Sequence, residues 1–347
     1  RRDAEITLGI YRRVPVLVRH GDPAGNPWGV SFMTMFHMSN DSGLFRTRAD
    51  LETEGWELCG NVFRRGEEAM LPLYEAKMVH HFDHRWATYD ETGAIRDVTP
   101  AEHDDPHFVI QPRYWVPKPE VSSALAGRWN HDWLPGFRDI CRSTDERTMV
   151  AGLLPRTAVG NKIPLQLAKV EFSWLLPTIQ ASFACDFSAR QKLGGTTMNF
   201  FIAEQVPVIA PDSMAAPAIW ARKTTADWIR HRVLELTYTA WDMEPFAHDL
   251  GDIGPPFRWD EGRRAGLRSE LDGAFLHLYG IERDDADYIL STFPIVHRKD
   301  QARHGEHRTW RLAMEAYDAI AKAIATGEPF RSTLDPPPGD GPRHPSR

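Results

Sequence analysis

Cysteine is scarce. Cys59, Cys141 and Cys185 are odd in number, far apart and without a Cys-x-x-Cys pair, which argues against a disulfide framework or a zinc knuckle. Long apolar runs are missing as well. No stretch reaches bilayer-spanning length, and the amino terminus lacks the charged-then-apolar pattern of a secretory leader, so the cytoplasm is the expected compartment and no membrane partner is expected. Lysine is rare, supplying only 8 of the 41 cations. The resulting arginine excess suits bidentate contacts, and GC-rich codon usage explains it equally well. There is no internal repeat.

Net positive charge is also missing: the chain carries −7, which opposes a polyanion held by bulk charge alone. The distribution is uneven, however. Residues 111–200 hold 11 Lys and Arg against 7 Asp and Glu, whereas residues 241–290 hold 5 against 12, so a basic middle precedes an acidic end. With 42% hydrophobic residues over 347 positions, the chain is long enough for a sizeable core and two domains.

The pattern predicts an α+β protein, with a mixed α/β domain followed by a mainly helical one. Residues 1–50 read as short strands and turns forming a connector. Residues 51–212 mix β-rich pieces such as Val79 to Tyr89 with a helix within Trp174 to Ala189, in whose first turn Pro177 falls if Ser173 caps it. From 213 to 330 the chain turns helical. Thr225 is one expected cap, Asp260 another before Leu267, Leu271 and Phe275, and a last helix spans Thr309 to Ile324 with Gly327 as its stop. Residues 331–347, rich in proline and glycine, read as a disordered tail.

Four runs carry a more specific signal. The first joins Ala189-Arg190-Gln191-Lys192-Leu193-Gly194-Gly195-Thr196-Thr197 to Glu204-Gln205-Val206-Pro207, a pair of cations beside a Gly-Gly-Thr-Thr turn suited to phosphate. The others are Asn26-Pro27-Trp28-Gly29 leading to Met38-Ser39-Asn40-Asp41, Leu71-Pro72-Leu73-Tyr74-Glu75-Ala76-Lys77 leading to Phe82-Asp83-His84-Arg85, and Asp139-Ile140-Cys141-Arg142-Ser143-Thr144-Asp145-Glu146-Arg147, with Pro155-Arg156 close behind. In wording and order they resemble the target-recognition and helical end of large bacterial N6-adenine DNA methyltransferases of restriction-modification and phage-defence systems, over all of the chain except its tail.

That resemblance implies double-stranded DNA as partner and S-adenosylmethionine as the cofactor of the full-length protein. This chain carries no cofactor site of its own. Gly254-Pro255-Pro256-Phe257 keeps the ring of the family's (Asp/Asn)-Pro-Pro-(Tyr/Phe) turn without its polar side chain, and Asp335-Pro336-Pro337-Pro338 keeps the acid without the ring. The glycines after Val14 to Val18 lead into strand-like Val30-Ser31-Phe32, not into the helix that a nucleotide loop needs. The chain opens on Arg1-Arg2 without methionine, as expected if a catalytic domain precedes it. Methyl transfer is then expected from an upstream or separate methyltransferase domain, with other restriction or defence subunits as further expected partners, and this chain alone is expected to be non-catalytic.

The implied DNA contacts are Arg142, Ser143, Thr144, Asp145 and Arg147 at base edges, and Arg190, Lys192, Gly194, Gly195 and Thr196 at phosphates. Lys77, Arg156 and Lys162 add charge nearby. From spacing alone, the Arg142 to Arg147 run reads sooner as a capped turn with surface ion pairs, a preference that the resemblance reverses, and the Arg190 to Thr196 run reads also as a helix end closed by glycine. A stand-alone specificity subunit acting in trans is one alternative. A Mg-dependent endonuclease using Glu75-x-Lys77 with Glu52, Glu54 or Glu57 upstream is another. His80, His81, Asp83 and His84 complete no known metal motif and are expected to serve in structural hydrogen bonding.

Overall fold

A computed structural model describes residues 1–347. The fold is α+β, with short, mostly antiparallel strands in the first half and helices in the second. One sheet of four strands runs in the order Ser31–Met33, Leu165–Leu167, Trp133–Phe137, Ala151–Pro155. Inner strand Trp133–Phe137 and its edge neighbour Ala151–Pro155 are buried on both faces over nearly their whole length, so they read as continuous apolar runs and not as alternating ones. In a second sheet, Glu68–Tyr74 is central. It pairs antiparallel with Val62–Arg65 and Trp115–Pro117 and parallel with Ala158–Val159. A hairpin of Ala87–Tyr89 and Ile95–Asp97 stands apart.

The amino-terminal segment is not the strand-and-turn connector that its mixed pattern predicts. It opens with helix Arg2–Arg13, which buries Ile6 and Ile10 and carries acids in its first turn and arginines in its last, the polarity its dipole favours. The Ile6 and Ile10 spacing already marks one helical face. Arg13 donates to the Tyr279 carbonyl at 3.2 Å, and the Tyr288 hydroxyl donates to Asp3 at 2.8 Å, tying this helix to the far end of the chain.

The helix expected within Trp174 to Ala189 is two helices, Leu175–Gln180 and Phe183–Lys192. Ser182 caps the second by accepting from the Cys185 amide at 3.2 Å, which ends the first where a longer helix would continue. In the second half, Asp260 caps Glu261–Leu278 as its position predicts, accepting from the Arg263 amide at 2.6 Å. The preceding helix Thr225–Thr237 takes its cap one residue earlier, from Thr224. Helices Glu261–Leu278 and Arg308–Thr326 cross closely at Gly273, where an added Cβ would lie 2.8 Å from the Tyr317 nitrogen. Gly327, at φ 71°, ends the last helix in the left-handed conformation glycine favours.

Residues 331–347 form an ordered strap, which corrects the disorder read from their composition. Arg343 pairs with Asp252 at 2.5 and 3.0 Å, donates to the Pro255 carbonyl and lies 3.7 Å over the Phe257 ring. The Arg258 amide donates to the Pro342 carbonyl and the His344 amide to the Pro256 carbonyl, both at 2.9 Å. Proline removes donors and fixes φ, and here the carbonyls of the strap serve as acceptors for the helical body.

One apolar cluster of 80 buried residues extends from Ile6 to Ala323, so the segments 1–50, 51–212 and 213–330 share a core. Sheets and helices meet at the turn His80 to Arg85. Arg85 is fully buried and donates to the carbonyls of His103, Asp105 and Thr239 at 2.8 to 3.2 Å. His81 bonds the Met149 carbonyl, His84 bonds Asp242, and Asp83 is bonded by His103, so of the cluster expected to serve in structural hydrogen bonding these three side chains do so, while the His80 ring packs against Trp86. Phe82 sits at φ 55°, rare for a bulky residue, and its carbonyl accepts from Arg264 at 3.0 Å. No helix is long and apolar enough to cross a membrane.

Candidate nucleic-acid interface

Two of the runs singled out in the sequence lie side by side. The Cys141 amide donates to the Thr196 carbonyl at 3.2 Å and the Met198 amide to the Asp139 carbonyl at 2.6 Å, with Ile140 bridging Thr197. Loops 139–146 and 192–199, some fifty residues apart in sequence, thereby form one ridge. Asp145 folds its own end of the ridge into a turn by accepting from the Arg142 amide at 2.8 Å. Arg142, Thr144, Asp145, Lys192, Gly194, Gly195 and Thr196 are exposed along it, and Ser143 is half-buried.

Arg147 and Arg190 do not belong to the exposed set, which corrects their expected roles as DNA contacts. Arg147 donates to Asp186 and to the Ala181 carbonyl, both at 2.6 Å, and stacks 4.1 Å over Phe183. Asp186 is fully buried and also accepts from the amides of Thr148 and Met149. A buried carboxylate needs such donors to stay charged, and Arg147 is one of them. Arg190 reaches under the ridge to the carbonyls of Asp145 and Glu146 at 2.9 and 3.3 Å and to Thr292 at 3.1 Å, resting 4.1 Å over Phe293. Burial pulls its pKa down. Both arginines brace the ridge from below. The buried acid that selects Arg147 for this task lies 39 residues away, beyond anything local spacing can signal.

The glycine pair differs from expectation in detail. Neither Gly194 nor Gly195 adopts positive φ, so the alternating nest that cradles an anion is not formed. Yet both would meet only open space at a Cβ, and the amides of Gly194, Gly195 and Thr196 donate to no protein acceptor. Three backbone donors therefore face outward next to Lys192, whose amine lies 5.1 Å over the Tyr11 ring.

The remaining cations are tied down to different degrees. Lys162 pairs with Asp139 at 3.0 Å at the foot of the ridge while staying 45% exposed. Arg156 donates to the His131 carbonyl at 2.9 Å and is half-buried, so it stiffens its own loop. Lys77 sits in a short turn 3.6 Å from Glu75 and 4.8 Å over the Tyr89 ring. Glu75 accepts from the Tyr89 hydroxyl at 2.8 Å and belongs to no cluster of three metal-ligating side chains. Glu75-x-Lys77 thus gains no support as a nuclease half-site.

Two apolar members of the ridge escape a reading based on charge. Ile140 is 57% exposed, and Phe201, just beyond the second loop, is 67% exposed. In the sequence, Ile140 stands out only as a large apolar side chain among charged neighbours, and Phe201, inside the apolar run Phe200-Phe201-Ile202-Ala203, carries no such signal. Such residues add apolar contact where the cations add attraction. No protein-family model matches this chain, and no curated protein matches it in sequence.

Proposed function

We propose that this chain recognises a site on duplex DNA and presents it to an N6-adenine methyltransferase centre on another domain or subunit, which supplies S-adenosylmethionine. The observation that supports this best is the ridge, where Arg142, Thr144, Lys192 and Thr196 come together from two separated runs. A loop that must read base edges needs a fixed geometry, because each bidentate contact discriminates by only about 1–3 kcal/mol and is lost to small displacements. Arg190 and the Arg147 to Asp186 pair supply that fixity. On this reading, Arg142 with Ser143 and Thr144 reads bases. Lys192 and the amides of Gly194 to Thr196 hold a phosphate.

Selection of duplexes from a random library on the purified chain, followed by titration at several salt concentrations, tests the assignment. An enriched motif is expected. Arg142→Ala should abolish the enrichment with unchanged thermal stability, whereas Lys192→Ala should weaken all duplexes alike and reduce the salt slope by about one. Arg147→Ala should instead destabilise the fold by about 3–5 kcal/mol, because it leaves Asp186 buried without its cation. A chain that retains no duplex at low salt, or an Arg142→Ala variant that selects the same motif, would overturn the proposal.

A further inference from the structure

A cleft of about 190 Å³ opens beside the hairpin of Ala87–Tyr89 and Ile95–Asp97, with Lys77, Trp86, Ile95, Asp97 and Arg138 among its walls. Its chemistry is divided. Trp86 and Ile95 are each 37% exposed, large apolar side chains left facing water. The indole is not loose, because the His80 ring packs against it at 4.4 Å and 30°. It forms a fixed, flat wall.

The deeper wall is cationic. Arg138 donates through Nε to the Val79 carbonyl at 2.7 Å, and its buried Nη2 has no protein acceptor. A buried donor left unpaired costs about 1–3 kcal/mol, and the guanidinium that carries it lines the cleft, where its charge attracts a ligand oxygen. Burial, opposed by the charges of Asp83 and Asp145, pulls this guanidinium down to about 10, still charged at neutral pH. Lys77 adds a second charge that is 46% exposed. Arg96 contributes little, since both its terminal nitrogens are held by Glu102.

We propose that this cleft binds one nucleoside monophosphate unit, its base lying on Trp86 and its phosphate held by Arg138 and Lys77. At about 190 Å³ the cleft is smaller than the roughly 300 Å³ at which enclosing ligand pockets begin, so it holds part of one unit and leaves no room for a second. Asp97 repels a phosphate at the rim and accepts from an amino group. The unit therefore lies phosphate-inward, and bases that carry an exocyclic amine are favoured. The same chemistry is offered by a free nucleotide and by a nucleotide turned out of a DNA strand. The cleft's side chains are distinct from those of the ridge, so this inference does not depend on the DNA reading.

Calorimetric titration of the purified chain with AMP, UMP and inorganic phosphate tests it, alongside fluorescence of a duplex containing 2-aminopurine. AMP should bind at least tenfold more tightly than phosphate and more tightly than UMP. Trp86→Leu should weaken AMP by about tenfold through lost stacking, and Arg138→Gln by about tenfold through a lost charge-assisted bond. If Arg138→Gln fails to fold, the exposed Lys77→Ala carries the same test. A 2-aminopurine change that depends on Trp86 identifies a strand as the source, and AMP binding without it identifies a free nucleotide. Equal affinity for AMP and phosphate with no effect of Trp86→Leu would overturn the proposal, as would no AMP binding at millimolar concentration together with an unchanged duplex signal. AMP binding by a chain that retains no duplex would sink the ridge reading and leave this one standing.

Discussion

Arg142 and Arg147 stand five positions apart in one polar run, and their surroundings give them opposite tasks. The first points into solvent from a turn closed by Asp145, and the second turns under the loop to a fully buried carboxylate. Asp272 belongs to the same buried layer. It accepts from the Phe183 amide at 3.0 Å, and burial, opposed by Arg147 and Arg268, raises its pKa to about 6. A carboxyl whose folded value lies above its unfolded one contributes stability that is complete below about pH 4 and is lost as pH rises through about 6. Asp272→Asn keeps an acceptor for Phe183 and removes the charge. Its stability should match the parent at pH 4 and exceed it at pH 8, by at most about 3 kcal/mol. Denaturant unfolding at the two pH values measures this, and a variant less stable than the parent at pH 8 would show that the ionised carboxylate is needed.

Elements with their own punctuation were legible from the sequence. Asp260 as cap and Gly327 as stop mark helix ends that the structure keeps, since capping depends on a few neighbouring residues. Elements decided by distant partners were not legible. The break at Ser182, the helix Arg2–Arg13 and the strap 331–347 each depend on surfaces supplied from elsewhere in the chain. Composition alone cannot show that Arg343 will find Asp252. The strap gives a direct check. Hydrogen exchange followed by mass spectrometry should show slow amides at Arg258 and His344, and deleting residues 335–347 should make Arg258 exchange fast. Rapid exchange at both positions in the intact chain would mean that the strap does not hold.

At the scale of the whole molecule, the positive balance of residues 111–200 is reduced by folding. Of its eleven cations, Arg147, Arg156 and Lys162 are engaged by acids and Arg138 and Arg190 by carbonyls, leaving Arg113, Lys118, Arg128, Arg142, Lys169 and Lys192 exposed and unpaired. On the proposed reading, six free cations on a chain of net charge −7 are too few to hold DNA by charge alone, and specificity would rest on directed contacts at the ridge. Which loops become neighbours was hidden in the sequence. The residue types at the ridge were visible, but their meeting follows from the pairing of Ile140 with Thr197 across the fold.

Hydroxyl-radical footprinting of the chain with and without a selected duplex tests the ridge most directly, because Ile140 and Phe201 are large, reactive and well exposed in the free protein. Saturating duplex should suppress modification of both, with Ile219 and Ile253, exposed elsewhere, serving as internal controls that do not change. Unchanged reactivity at Ile140 and Phe201 under saturating duplex would contradict the assignment of this surface to DNA.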